Sequence, residues 1–289
     1  MSEERIRYAV HAYAWTSSWS NEDLPIIERA AGLGLDAVEI PLMELEAVDP
    51  AAIREHADRA GIGLLTSAVC PNDAEPSSED ERVRERGLEF LNACIDATAA
   101  MGARIFSGVT YSALGRRLDR RPSRDDMERA AEVMRAAACH AAGRGVTLGI
   151  EPVNRYESFL VNTAAQALEL MELIGEPNVG IHLDAYHMNI EEDEFRAPVV
   201  AVAEHLVHFH LSESHRGIPG RGTVDWHGIM AALVEAGYSG HVGLESFAEV
   251  SDAMREATCI WRDLAPSSDE LVREGLAYLK QIERAVAPA

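Results

Sequence analysis

The sequence predicts an α/β protein built as a single (β/α)8 barrel. Eight short apolar segments alternate with eight stretches of helical periodicity along 289 residues, a length that one barrel of about 250 residues uses comfortably. No Pro/Ser/Gly-rich linker or low-complexity tract divides the chain, so residues 1–289 read as one domain. Neither GxGxxG nor GxxxxGK[ST] follows the first strand, which weakens the competing open, nucleotide-binding sheet.

In chain order, the strand candidates run from Arg7 to Ala14, Ala37 to Pro41, Gly63 to Val69, Arg104 to Gly108, Val146 to Glu151, Val179 to Asp184, Leu206 to Leu211 and His241 to Glu245. The helices between them fall near Asn21 to Ala31, Pro50 to Ala60, Ser78 to Met101, Arg124 to Ala142, Thr163 to Ile174, Glu194 to His205, Asp225 to Ala236 and Ser267 to Ala285. The first three starts carry capping signals: Asn21 before Glu22-Asp23, Asp49 before Pro50, and Ser78 before Glu79-Asp80. Glycine closes three helices, at Ala60-Gly61, Met101-Gly102 and Ala236-Gly237.

Composition excludes several functions. With 48 Asp and Glu against 26 Lys and Arg, the formal charge of −22 repels phosphate backbones and anionic lipid. Nucleic acid and membrane surfaces are therefore not expected partners. Lys280 is the sole lysine and lies in the last helix candidate, so no lysine is placed for Schiff-base or P-loop chemistry. Cys70, Cys94, Cys139 and Cys259 are widely spaced, no secretory signal precedes the first strand, and no apolar run reaches the roughly 18 residues that span a bilayer. The expectation is a reduced, cytoplasmic protein.

Four groups stand at the carboxyl ends of the last four strands: Glu151, Asp184, His210 and Glu245. A strand interior is a poor place for a lone charge unless a cation or hydrogen bonds compensate its desolvation. Taken singly, each has a structural explanation, as a helix-entry charge, a turn or a core histidine. Together they recur at intervals of about one βα unit, which places all four at one height of a barrel whose active site sits at that end. Three carboxylates and an imidazole suit one divalent ion per subunit, Mn²⁺, Mg²⁺ or Co²⁺, and zinc accepts the same donors.

The segments beyond these residues add polar groups. Glu157, His187 and Arg216 are candidates for holding the hydroxyls of a small polyol, on loops overhanging the metal. For Arg155, Glu213 and His215 a solvated loop explains the residue equally well, while His182 and His208 are read as structural or as lining the barrel interior. Trp15 ends the first strand candidate and can wall a sugar pocket or pack in the core. Glu39, within Val38-Glu39-Ile40-Pro41, needs a partner that the sequence does not name.

At these positions the chain resembles the ketose 3-epimerases, the D-tagatose and D-allulose (D-psicose) 3-epimerase group of the xylose-isomerase-like barrels. The matching segments are Glu151-Pro152-Val153-Asn154-Arg155-Tyr156-Glu157, residues 180–192 from Gly180 to Glu192, residues 210–217 from His210 to Gly217, and Leu244-Glu245-Ser246-Phe247. Weaker likeness extends to Trp15, to residues 38–42 and to residues 108–113, so it spans nearly the whole chain. The resemblance implies that Glu151, Asp184, His210 and Glu245 bind the metal, Mn²⁺ first among the candidates. It also implies that Glu151 and Glu245 form the acid/base pair, and that Glu157, His187 and Arg216 bind substrate. It further implies a homodimer or homotetramer. Where some members have a tryptophan after the Gly108 segment, this chain has Leu114 beside Gly115-Arg116-Arg117, which puts the contacts to the distal end of the sugar in question.

The implied reaction is inversion at C3 of a ketose through a metal-stabilised enediolate. A proton leaves one face and another arrives on the opposite face, so two acid/base groups are needed. The nearest rival is an aldose-ketose isomerase, which shares the enediol. A metal-dependent apurinic-site endonuclease is opposed by the charge, and a non-catalytic sugar-binding barrel by the two intact glutamates.

Overall fold

Eight parallel strands pair in sequence order and close into a barrel: β1 (Arg7–His11), β2 (Ala37–Pro41), β3 (Gly63–Cys70), β4 (Ile105–Ala113), β5 (Thr147–Ile150), β6 (Val179–Asp184), β7 (Leu206–His210) and β8 (His241–Leu244). The structure is a computed structural model and describes residues 5–248 and 251–287. Around the barrel lie α1 (Pro25–Gly32), α2 (Pro50–Ala60), α3 (Glu81–Met101), α4 (Arg124–Ala142), α5 (Ala164–Ile174), α6 (Ala185–Glu191), α7 (Arg196–Val202), α8 (Trp226–Glu235), α9 (Asp252–Thr258) and α10 (Ser268–Val286).

Side chains alternate across each strand, so residues two apart share a face. The inward face of the first strands begins apolar, with Ala9, Ala37 and Leu65 packed together against Ile105 as a floor. Two residues further along, the same face carries His11, Glu39 and Ser67, all buried. The interior thus turns polar toward the carboxyl ends of the strands. Glycine makes room there: a Cβ on Gly243 of β8 would lie 3.2 Å from the His208 ring and 3.3 Å from the His210 ring.

Closure is made by β1 and β8, in register from Arg7 opposite His241 to Val10 opposite Leu244. Helix α10 reinforces the seam. Tyr8 on β1 donates to Glu283 at 2.8 Å, while Asp269 accepts from Trp15 Nε1 at 3.0 Å and from Arg29 Nε at 2.7 Å.

Several boundaries differ from expectation. Strand β1 stops at His11 because the His11 ring accepts the Tyr13 amide and turns Ala12–Ala14 into a 3-10 helix. Strand β4 runs on to Ala113 beyond Gly108, which has φ +118; a Cβ there would meet the Ala68 carbonyl oxygen at 2.2 Å. The first helix is capped by Ser20 through a capping box with Asp23, not by Asn21, and breaks into a 3-10 turn before Pro25. Asp80, not Ser78, caps α3. Residues 203–205 are a 3-10 turn after α7. Helix α9 adds to the eight helices expected. The segment after Asp184, read as an overhanging loop, is helix α6. No helix is long and apolar enough to cross a membrane among the described residues.

Candidate metal centre

The ends of the last four strands converge. His210 is the last residue of β7, and its Nδ1 lies 3.2 Å from Glu245 Oε2, 3.6 Å from Asp184 Oδ2 and 3.8 Å from Glu151 Oε1. Glu151, Asp184 and His210 present ligand atoms all within 4.8 Å of one another, and all three are buried. Asp184 does two jobs: one carboxylate oxygen caps α6 by accepting the Tyr186 amide at 2.6 Å, and the other faces the cluster. The His210 Nδ1 atom is buried with no hydrogen-bond partner. A buried nitrogen without a partner, amid three carboxylates, fits a hard or borderline divalent ion.

The site also contains a guanidinium. Arg216 Nη1 donates to Asp184 Oδ2 at 2.7 Å, to Ser212 Oγ at 2.9 Å and to Glu245, and the group lies 4.2 Å from the Tyr186 ring centroid. Its backbone is left-handed, φ +63, a conformation that costs a non-glycine residue about 1–3 kcal/mol and persists only where the surroundings over-determine it. Here they do: the Arg216 amide donates to the Glu213 carbonyl, and its own carbonyl accepts from Phe247. Glu213 organises the rest of the loop, accepting from the amides of Ser214, Gly220 and Val224 and from Trp226 Nε1.

Electrostatics separate the two glutamates. Burial pushes the Glu151 carboxyl well up, reinforced by the charges of Glu245 and Asp184. Burial acts the same way on Glu245, but Arg216 and His210 outweigh it and hold that carboxyl well below the usual range. Asp184 is lowered as well, Arg216 offsetting the effect of burial. Burial alone would lower His210, yet Glu39, Glu245 and Asp184 raise it. Two neighbouring carboxyls driven apart in this way are suited to opposite roles in proton transfer.

A second polar chain borders the cluster. His187 of α6 accepts the Asn154 amide on Nδ1 at 3.1 Å and points Nε2 toward Glu151 at 3.9 Å and Glu157 at 4.0 Å. Asn154 Nδ2 donates to Glu157 at 2.8 Å. Glu157, His187 and Arg216 therefore gather beside the four candidate ligands. Trp15 lies apart from the cluster: its indole N–H is on Asp269, the Arg29 guanidinium sits over its ring, and the ring borders a cavity of about 230 Å³ with Tyr13 and Met254.

The other residues weighed from sequence divide clearly. Arg155 pairs with Glu191 at the surface, and His215 braces its own loop through the Arg221 carbonyl and the Gly217 amide. His182 and His208 are fully buried in the barrel interior, their rings 4.1 and 4.9 Å from that of His210. The partners of Glu39 are His208 and His210. Ser212, Asn154 and Phe247 join the site with no role expected of them from sequence. Ser212 and Phe247 each stand two residues beyond a candidate ligand, so the strand alternation is the available signal. Leu114 is exposed, and the loop after it is tied down by the Gly115 amide on the Glu157 carbonyl and by Arg116 on the buried Glu75.

Residues 27–282 match the model of the xylose isomerase-like TIM barrel family. A ketose 3-epimerase of Arthrobacter globiformis is 35% identical, over 96% of this chain and 99% of its own. The chain belongs to the ketose 3-epimerase family. An L-ribulose 3-epimerase of Methylomonas sp. (strain DH-1), another relative, is 34% identical over 96% of this chain and 98% of its own. The crystal structure of a D-allulose 3-epimerase from Methylomonas sp. in complex with D-allulose superposes with a TM-score of 0.91 at 33% identity, covering 96% of this chain and 97% of that one.

Proposed function

We propose that the chain inverts C3 of a free ketose, with Glu151 and Glu245 as the acid/base pair. One observation carries the proposal: carboxylates one residue beyond the non-adjacent strands β5 and β8 approach the same imidazole nitrogen, at 3.8 and 3.2 Å, and among the described residues Glu245 of the two has a guanidinium partner. Two such groups can flank one carbon. The relatives named as ketose and L-ribulose 3-epimerases support the same chemistry.

Glu151, Asp184, His210 and Glu245 would hold a divalent ion, Mn²⁺ before Mg²⁺ or Co²⁺, which when bound polarises the sugar carbonyl and stabilises negative charge developing on oxygen. Glu245, kept ionised by Arg216, accepts the C3 proton from one face. Glu151, approaching from the other strand end, delivers a proton to the other. In the reverse direction the two exchange roles. Glu157 and His187 hold hydroxyls beside the reacting carbon. Arg216 is already engaged by Asp184, Ser212 and Glu245, which favours an uncharged sugar over a sugar phosphate. Trp15 is proposed as a distal wall of the sugar pocket. A cytoplasmic homodimer or homotetramer is the expected form.

The test is turnover of D-fructose, D-tagatose and L-ribulose in D₂O after chelation and reloading with Mn²⁺, followed by NMR. Deuterium should enter C3 of an inverted product, and Glu151→Gln and Glu245→Gln should each slow inversion by about 10²–10⁴-fold. Each variant should still exchange the C3 hydrogen of one epimer only, because one base survives. Deuterium at C1 or C2, or inversion at near wild-type rate in either variant, refutes the assignment.

A further inference from the structure

We infer that Glu39 is a positioning residue that fixes which nitrogen of His210 faces the metal, an inference that rests on the metal reading above. Glu39 is fully buried inside the barrel on β2, two residues above the apolar floor. Its Oε2 lies 2.8 Å from His210 Nε2 and 2.9 Å from His208 Nε2, and His11 Nε2 stands 3.9 Å from its other oxygen. Among the described residues its charge partners are these three imidazoles, with no arginine or lysine.

The two nitrogens of His210 therefore face opposite environments. Nε2 meets a carboxylate and holds a proton there, so in the neutral ring that a metal requires the lone pair lies on Nδ1, the buried and unpartnered atom that faces Glu151, Asp184 and Glu245. A carboxylate behind a ligating imidazole sets its tautomer, its ring plane and its basicity. The neighbours leave the ring little freedom. His182 packs edge-on against it at 4.1 Å between centroids, and a Cβ at position 243 would already crowd it at 3.3 Å. His208 holds Glu39 from the other side, its Nδ1 on the His241 carbonyl at 3.1 Å. A carboxylate in this position does more than fill a core: it selects one of two chemically distinct faces of a ligand.

Glu39→Gln keeps the shape but replaces one acceptor oxygen with an amide that donates, allowing the proton of His210 to move to Nδ1. The experiment uses the full chain stripped with chelator, titrated with Mn²⁺ by calorimetry and melted without metal. Mn²⁺ affinity of Glu39→Gln should fall about 10–100-fold, and Glu39→Asp should recover part of the loss. A Glu39→Gln dissociation constant within about twofold of wild type overturns the inference whatever happens to its melting temperature, since a merely structural role moves only the latter. Wild type that takes up no Mn²⁺ sinks the metal reading and this inference together. Should Glu39→Gln fail to fold, nitrogen-15 histidine NMR of the wild-type protein loaded with Zn²⁺ decides. A proton retained on His210 Nε2 supports the role of Glu39, and a proton on Nδ1 overturns it.

Discussion

Replacing Arg216 with methionine tests the charge balance of the site in the metal-free protein. The guanidinium is buried, bonded to Asp184, Ser212 and Glu245, and stacked on Tyr186. Its loss leaves two buried carboxyls without their guanidinium, and breaking a buried pair from one side costs about 3–5 kcal/mol. With an unfolding entropy of about 2.1 cal/mol/K per residue, the 289-residue chain should lose about 5–8 °C in melting temperature in chelator. The deficit must grow with pH. Without Arg216, one of the two acids keeps its proton in the folded state, so its folded pKa exceeds the unfolded value. Stability is then intact below the unfolded pKa and lost as pH rises through the folded one. Melts at about pH 5 and 8 should separate accordingly. Mn²⁺ should narrow the gap, because it supplies charge to the same two acids. A melting temperature in chelator equal to wild type, or a deficit that Mn²⁺ leaves unchanged, refutes the placement of Arg216.

Two further outcomes follow from neighbouring features. Glu213→Ala strips the acceptor from three loop amides and the Trp226 indole; it should cost on the order of 3 kcal/mol and raise KM more than it lowers kcat, and an unchanged KM counts against its role in holding Arg216. Burial lowers His241 from 6.5 to about 4, so the folded state binds fewer protons than the unfolded one between those values. Stability should hold above about pH 6.5, decline as pH falls toward 4, and level off below. After allowance for solvent screening the loss is about 1–2 kcal/mol, and urea unfolding of His241→Asn should lack it.

The four candidate ligands were legible because strand ends recur at a regular interval, and a charge at such an end is conspicuous against apolar neighbours. What lay beyond a single unit was not. Glu39 stood out as a charge without a partner, but His208 and His210 lie 169 and 171 positions away, and only barrel closure brings them within hydrogen-bond reach. Strand β1 was extended too far because Ala12 and Ala14 continue the apolar run, while the cap that ends it is the His11 side chain itself. Helix α6 is hidden in the sequence because Asp184 both faces the cluster and, through its second oxygen, starts the helix, and that second role has no separate signature. The left-handed backbone of Arg216 follows from the contacts of its own loop and has no sequence marker.

The seam between β1 and β8 has a consequence for how the molecule is born. Arg7 reaches the Ser239 carbonyl across 232 positions, so during synthesis the opening strand must wait with one edge bare until the eighth unit leaves the ribosome. Glu283 and Asp269 of α10 then lock onto Tyr8, Trp15 and Arg29. The ring cannot be finished piecemeal, and a nascent chain paused before β8 is the species most exposed to proteolysis and to pairing with a neighbour.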